Sequence, residues 1–229
     1  MKFIVLAVIL LIVIRELFAA YDIQCRRKEY IQKYHLHIPT PALGYRIIKR
    51  LGDVIISLLI CISILPVLYI VLGLIIKLTS KGPVIFKQKR YGLLGKEFTC
   101  YKFRSMYLDA GPQKVISKND ARITPIGKFI RKTHLDEFPQ FFNVFMGDMS
   151  LVGPRPLRDV EMEKFRDVRG KYSRLLLRPG ITGMTQVNSG RELSAEEFLQ
   201  YDIMYVSNLS LITDIVLLLQ TIKFDDIAY

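Results

Sequence analysis

An adjacent Asp136-Glu137 pair, set ahead of an aromatic-rich run, is the first place in this chain where side chains could act on a substrate. In Thr133-His-Leu-Asp-Glu-Phe-Pro-Gln-Phe-Phe-Asn-Val-Phe-Met-Gly147, Phe138, Phe141, Phe142 and Phe145 recur at i, i+3, i+4 and i+7, the spacing of one helical face. Pro139 is tolerated only in a first turn, so a helix is predicted to begin near Asp136 and to end at Gly147. The free N–H groups and positive dipole end of that helix would keep Asp136 ionised and would suit a phosphate beside it. The bland reading also stands, since aspartate is a common N-cap and an Asp-Glu first turn needs no ligand.

Three arginines in rigid surroundings add weight to the phosphate reading. Pro154 and Pro156 frame Arg155 in Asp148-Met-Ser-Leu-Val-Gly-Pro-Arg-Pro156 and restrict the backbone that presents its guanidinium. Arg178-Pro-Gly-Ile-Thr-Gly183 repeats the theme, and Gln186-Val-Asn-Ser-Gly-Arg191 follows with another arginine. A planar guanidinium fork matches phosphate oxygens. Metal and disulfide chemistry are not favoured: Cys25, Cys61 and Cys100 are odd in number and share no ligand spacing, and His35, His37 and His134 form no zinc pattern. The cysteines read as free thiols of a reducing compartment.

The elements that must position these groups begin with two apolar runs. Phe3–Ile14 is uninterrupted, but twelve helical residues span about 18 Å against a hydrocarbon core of roughly 30 Å. With no convincing cleavage site behind it, residues 1–20 read as a retained membrane segment, either a short tilted anchor or an interfacial helix. Val54–Ile76 carries no charge and is long enough to cross a bilayer, with Pro66 near its centre. Basic residues crowd both ends: Arg46, Lys49 and Arg50 before, Lys77, Lys81, Lys87, Lys89 and Arg90 after. From the residues alone, a hairpin that bends at Pro66 with both ends cytoplasmic and an ordinary Pro-kinked span are equally good readings. In the hairpin reading, Ser57 and Ser63 could satisfy carbonyls freed at the bend.

Beyond Lys81 the chain reads as a polar body. Val84–Lys89 and Phe98–Arg104 are predicted strands joined by a turn at Gly92–Gly95. Residues 107–121 read as a surface loop and Ile126–Lys132 as a short helix. Ser194 and Glu197 form a capping box for a helix that buries Phe198, Tyr201 and Tyr205, and Ser210 caps a last apolar helix, Leu211–Ile222. The net charge of +12 suits anionic lipid or a phosphorylated substrate, and the membrane segment makes nucleic acid the least favoured partner.

Taken together, four ordered blocks resemble the monotopic polyprenol-phosphate phosphoglycosyl transferases, bacterial sugar transferases. The blocks are Gly82-Pro-Val-Ile-Phe-Lys-Gln-Lys-Arg90 with Tyr101-Lys-Phe-Arg-Ser-Met106; Leu135-Asp-Glu through Asn143 to Pro156; Arg178–Gly183 with Gln186-Val-Asn188; and Asp202 through Tyr205 to Ser210. The resemblance covers about Arg46 to Ile222. It implies an α+β, mainly helical fold: a re-entrant membrane helix hairpin broken at Pro66, joined to a small cytoplasmic catalytic domain with a short β-hairpin. The domains would be 1–45, an apolar segment and polar linker, and 46–229, the transferase domain, with the re-entrant helix at about 54–76 and the catalytic body at 81–229.

The same resemblance implies transfer of a sugar 1-phosphate from a UDP-sugar to undecaprenyl phosphate, with UMP released, at the start of bacterial polysaccharide or glycoconjugate assembly. Asp136 would be the nucleophile and would carry an aspartyl-phosphosugar intermediate, with Glu137 assisting. Mg²⁺ is implied, with Asp136 as its protein ligand. Lys102, Arg131, Arg155 and Arg191 match basic positions and would bind the substrate phosphates, while Asp202 matches an acidic position and ranks below the dyad. The implied location is the bacterial inner membrane, facing the cytoplasm, with membrane lipids as partners and a homo-oligomer left open. Two departures stand out: Leu65, not serine, precedes Pro66, and Met184, not an aromatic residue, follows Gly183. A non-catalytic membrane adaptor is disfavoured by the intact Asp136-Glu137 pair, and a simple anionic-lipid binder by the rigid arginine loops.

Overall fold

The computed structural model describes residues 22–36, 38, 42–108, 120–165, 171–188 and 193–223. The expected apolar segment 1–20, His37 and most of the 107–121 loop therefore lie outside the described residues. Helix α1 covers residues 22–33. It is followed by α2, Leu43–Thr79, which at 1.5 Å per residue is about 55 Å long.

An 18-residue window of α2 has a mean hydropathy of 2.9 and is almost entirely unburied. Leu59, Ile62, Val67 and Ile70 are all more than half exposed. In water that apolar surface would carry a large hydration cost, and the helix is long and apolar enough to cross a membrane. The helix is longer than the predicted 54–76 and continues through Pro66 without interruption. The expected break is thus not seen in the backbone assignment. Proline deletes one N–H, which would have bonded the carbonyl of Ile62. Ser63 Oγ instead donates to Leu59 O and Ser57 Oγ to Val54 O, so neither serine serves the freed carbonyl as expected.

Both ends of α2 are fastened to the polar body by polar groups. Near the start, the Arg50 guanidinium donates to Val144 O and Phe145 O (2.7 and 3.1 Å), and Asp53 accepts from the Leu151 N–H at 3.0 Å. Near the end, Leu72 and Ile76 pack with Val84, Phe103 and Ile130. Arg104 donates to Lys81 O, and to Ser80 O and Ile76 O at 2.8 and 3.3 Å, satisfying carbonyls that a helix terminus leaves open. Gly82 gives Arg104 its room: with φ at 123°, a Cβ there would lie 2.1 Å from Nη1.

The predicted hairpin forms from β1 (Ile85–Tyr91) and β2 (Glu97–Phe103), paired antiparallel with Tyr91 opposite Glu97 and Ile85 opposite Phe103. Its connection is a 3₁₀ turn, Leu93–Gly95, with Leu94 and Gly95 both left-handed. After α3 (Pro125–Lys132) and a 3₁₀ turn at Leu135–Glu137 comes α4, Gln140–Met146, closed by Gly147 at φ 93° as expected. The start of α4 differs from expectation, since Pro139 is its N-cap and Asp136 lies in the preceding 3₁₀ turn. Its buried face differs as well. Gln140, Asn143 and Val144 face inward, while Phe142 is exposed.

Two loops that read as irregular in the sequence pair with one another. Ser150–Val152 (β3) and Gly180–Thr182 (β4) form a small parallel sheet. A Cβ on Gly180 would meet Gly153 N at 2.1 Å, and one on Gly183 would meet Gly153 O at 2.1 Å, so the backbones approach only because both positions lack side chains. Short helices α5 (Asp159–Glu163) and α6 (Met184–Val187) precede α7 (Ala195–Ser207), capped by Ser194 and Glu197 as predicted, and α8 (Leu211–Lys223), whose start is capped by Ser210. Tyr205 is core, and its hydroxyl donates to Asp214 at 2.6 Å. The three cysteines are free, with Cys100 buried.

Asn143 joins α4 to the hairpin. Its Oδ1 accepts from Tyr101 N at 3.1 Å and its Nδ2 donates to Thr99 O at 2.7 Å, in a fully buried setting. Asn143→Ala leaves a buried donor and acceptor of β2 unpaired and should destabilise the fold by about 2–4 kcal/mol. Denaturant midpoints of the two detergent-solubilised proteins measure this directly; equal midpoints would contradict it.

Candidate active site

Three short pieces of chain bring the site together. The 3₁₀ turn at Leu135–Glu137, entered through left-handed His134 (φ 52°), carries the acidic pair. Strand β2 supplies Lys102, and the Pro154–Pro156 segment supplies Arg155. Lys102 Nζ forms an ion pair with Glu137 Oε1, both side chains being about four-fifths buried. Asp136 is only 8% exposed, and no described residue donates a hydrogen bond to its carboxylate.

Glu137 lines an open cleft of about 250 Å³ together with Arg90, Lys102, Arg155, Gln140 and Gln186. Its described charged lining thus holds three cations and one anion. Asp136 is one residue back along the turn, not in the cleft lining itself. Arg155 is solvent-exposed, as its proline frame led us to expect. Arg90, unanticipated, is buried; it donates to Pro156 O at 2.5 Å and grips Gln88 Oε1, which fixes the far side of the Pro-Arg-Pro segment.

The two neighbouring carboxyls titrate apart. Burial, with the Glu137 charge adding to it, pushes the Asp136 carboxyl up to about 6, against the opposing pull of Lys102, Arg131 and His134. Burial also works to raise Glu137, but the charge of Lys102, helped by Arg155 and by the Lys102 hydrogen bond, holds it well below the usual carboxylate range. The expectation that Asp136 would be kept ionised by a helix dipole is therefore corrected. Its proton affinity is raised, because it sits in a buried turn rather than at the start of α4. At neutral pH it is still mostly ionised, and of the pair it is the group that takes a proton first.

Arg131, in the last turn of α3, contributes charge to Asp136. Arg191 lies outside the described residues. Asp202 is not at the cleft: it is buried on α7 in an ion pair with Arg174 at 2.9 Å and accepts from Thr185 Oγ1 at 2.7 Å. Arg178 is likewise structural, its Nε donating to Gly147 O at 2.8 Å and closing the end of α4.

Residues 44–224, from the start of α2 to just past α8, match the family model described as bacterial sugar transferase. The chain belongs to this family. It is 45% identical over 184 residues to a UDP-glucose:undecaprenyl-phosphate glucose-1-phosphate transferase of Klebsiella pneumoniae, covering 77% of this chain and 39% of that protein. It is 40% identical over 198 residues to an undecaprenyl-phosphate galactose phosphotransferase of Salmonella typhimurium, covering 78% and 40%. An uncharacterized sugar transferase of Bacillus subtilis is 38% identical over 179 residues, covering 77% and 86%. The chain thus spans about two-fifths of the first two relatives and most of the third.

Within this sugar transferase, sequence reasoning missed Arg90, Gln140 and Arg174. Arg90 and Arg174 carried no local signal, since neither stands in a Gly/Pro frame. Gln140 directly follows Pro139, and only the true start of α4 turns it toward the cleft.

Because the folded-state pKa of Asp136 is raised, its contribution to stability is fully present below its unfolded value of about 3.8 and is lost as pH rises through about 6. Asp136→Asn removes that loss. The variant should be more stable than the parent at pH 8, by up to about 3 kcal/mol, and the gap should close near pH 4. Melting curves of both proteins across this range provide the check.

Proposed function

We propose that this sugar transferase moves a sugar 1-phosphate from a UDP-sugar to undecaprenyl phosphate, releasing UMP, as the first step of a bacterial polysaccharide or glycoconjugate pathway. The carrying observation is the division of labour in the acidic pair. Glu137 is tied to Lys102, while Asp136 is buried, accepts no hydrogen bond from a described residue and is mostly ionised beside a cationic cleft. The Klebsiella and Salmonella relatives, named as undecaprenyl-phosphate sugar-phosphate transferases, support the substrate class.

In this reading an Asp136 carboxylate oxygen attacks the β-phosphorus of the UDP-sugar. The bond from that phosphorus to the bridging oxygen breaks, UMP leaves, and an aspartyl-phosphosugar forms. A phosphate oxygen of the polyprenol carrier then attacks the same phosphorus and returns Asp136 as carboxylate. The product is a polyprenol diphosphate sugar. Lys102, Arg131 and Arg155 offset charge on the transferring group, and Arg191 is assigned the same role. Partial burial of the pair makes each of these cations count for more than it would in water.

Magnesium fits this arrangement. No cluster of three or more His, Cys, Asp or Glu side chains that could hold a metal occurs among the described residues, which disfavours an all-protein cage. Mg²⁺ is commonly held by one or two carboxylates plus substrate phosphates and water, and Asp136 is a carboxylate with no hydrogen-bond donor among the described residues. When bound there, the ion would neutralise phosphate charge.

The membrane arrangement proposed is re-entrant, with α2 bending at Pro66 while staying helical, and with both of its ends and the catalytic body on the cytoplasmic side of the inner membrane. Support comes from the two ends of α2: Arg50 and Asp53 at one, Leu72 and Ile76 at the other, all pack on the same polar body. Basic residues flank both ends. Such a placement sets the cleft where a soluble nucleotide sugar can meet a long-chain lipid phosphate.

Purified protein given a panel of UDP-sugars, Mg²⁺ and a short polyprenol phosphate should release UMP and, without the acceptor, gain the mass of one sugar phosphate. Asp136→Asn should lower turnover by at least about a thousandfold and abolish the adduct. The rate should fall as pH drops and the nucleophile becomes protonated. Release of UDP instead of UMP would place the protein in another reaction class.

A further inference from the structure

A buried ion pair joins the two walls of the cleft. Arg174 and Asp202 are 2% and 1% exposed, with Nη2 and Oδ2 2.9 Å apart. From this pair, one arm reaches the Pro-Arg-Pro wall, where Arg174 Nη2 donates to the main-chain carbonyl of Arg155 at 2.6 Å. The other arm reaches α6, where Asp202 Oδ1 accepts from Thr185 Oγ1 at 2.7 Å. Thr185 precedes Gln186, which lines the cleft with Arg155 and Pro156. The rings of Phe165 and Phe198 lie 5.4 and 5.2 Å from the guanidinium carbon of Arg174.

Stability is a poor reason for such a pair. Desolvating two charges costs about as much as their attraction returns, and apolar side chains of similar volume would hold this spot as well or better. An apolar pair would not, however, hold the Arg155 carbonyl and the Thr185 hydroxyl at fixed points. Arg155 needs such a hold, because its exposed side chain is directed only by the backbone beneath it.

We propose that Arg174 and Asp202 are positioning residues: their ion pair sets the gap between Arg155 and Gln186, and so the grip of the cleft on the diphosphate of the nucleotide sugar. This rests on the transferase reading given above for Arg155. Neither residue touches the substrate, and the pair acts through the Pro-Arg-Pro backbone on one side and α6 on the other.

The test is a double-mutant cycle read by calorimetry with UDP as the probe. Arg174→Met with Asp202→Leu replaces the ion pair by apolar groups of similar bulk and is expected to keep the melting temperature near that of the parent. It should weaken UDP binding on the order of tenfold and raise the KM for the UDP-sugar similarly, as expected for a small misplacement of a binding group. Arg155→Ala should weaken binding by a similar factor, and the combined variant should bind no more weakly than Arg155→Ala alone.

Parental UDP affinity in the apolar pair, or losses that multiply in the combined variant, would overturn the proposal. If the apolar pair fails to fold, Arg174→Lys runs the same cycle, since a lysine side chain ends one atom short of Nη2, the nitrogen that meets both Asp202 and the Arg155 carbonyl. Turnover of the parent separates the two readings. A parent that binds UDP but releases no UMP refutes the transferase reading while the cycle still decides the positioning role; a parent that binds no UDP refutes both.

Discussion

The site depends on the ion pair between Lys102 and Glu137. Two adjacent carboxyls in a buried turn repel, and burial raises the proton affinity of both. A single cation within bonding reach of one of them breaks the symmetry. Glu137 is held as an anion, and Asp136 becomes the group with a raised pKa and no ion-pair partner at bonding distance among the described residues. Without Lys102 the pair would share a proton, and neither carboxyl would be reserved for chemistry.

That one contact is supported by a relay that starts in α2. Arg50 and Asp53 of α2 bond the end of α4 and the start of β3. Asn143 of α4 bonds two backbone groups of β2 on either side of Cys100. Strand β2 then presents Lys102 to the turn that precedes α4. The long apolar helix and the charge separation of the acidic pair are thus parts of one rigid arrangement, held by buried polar groups with their partners in place.

The high arginine content takes on a different meaning in three dimensions. Arg50, Arg90, Arg104, Arg174 and Arg178 all donate to main-chain carbonyls at helix ends or irregular loops. A body with only two small sheets and several short helices leaves many carbonyls without secondary-structure partners. A guanidinium with five donors can close two or three at once. Much of the +12 charge therefore builds the frame, while Lys102, Arg131 and Arg155, with Arg90 in the cleft lining, are the described basic groups that face the acidic pair or the cleft.

What the sequence determined by itself was local and periodic. The apolar run, the hairpin with its Gly92–Gly95 turn, the Ser194–Glu197 capping box and the closing glycine of α4 follow from propensities within a few residues. The ordered motif blocks were enough to indicate the family. Tertiary structure alone decided which charged groups meet: that Lys102 chooses Glu137 rather than Asp136, that Asp202 is spent on Arg174, and that two glycine-proline loops pair as a parallel sheet. These pairings join residues 28 to 35 positions apart, and their energies come from burial that exists only once the chain is packed. A string of residue types carries the charges, but the dielectric around each charge, and so its pKa and its chemistry, is a property of the folded interior.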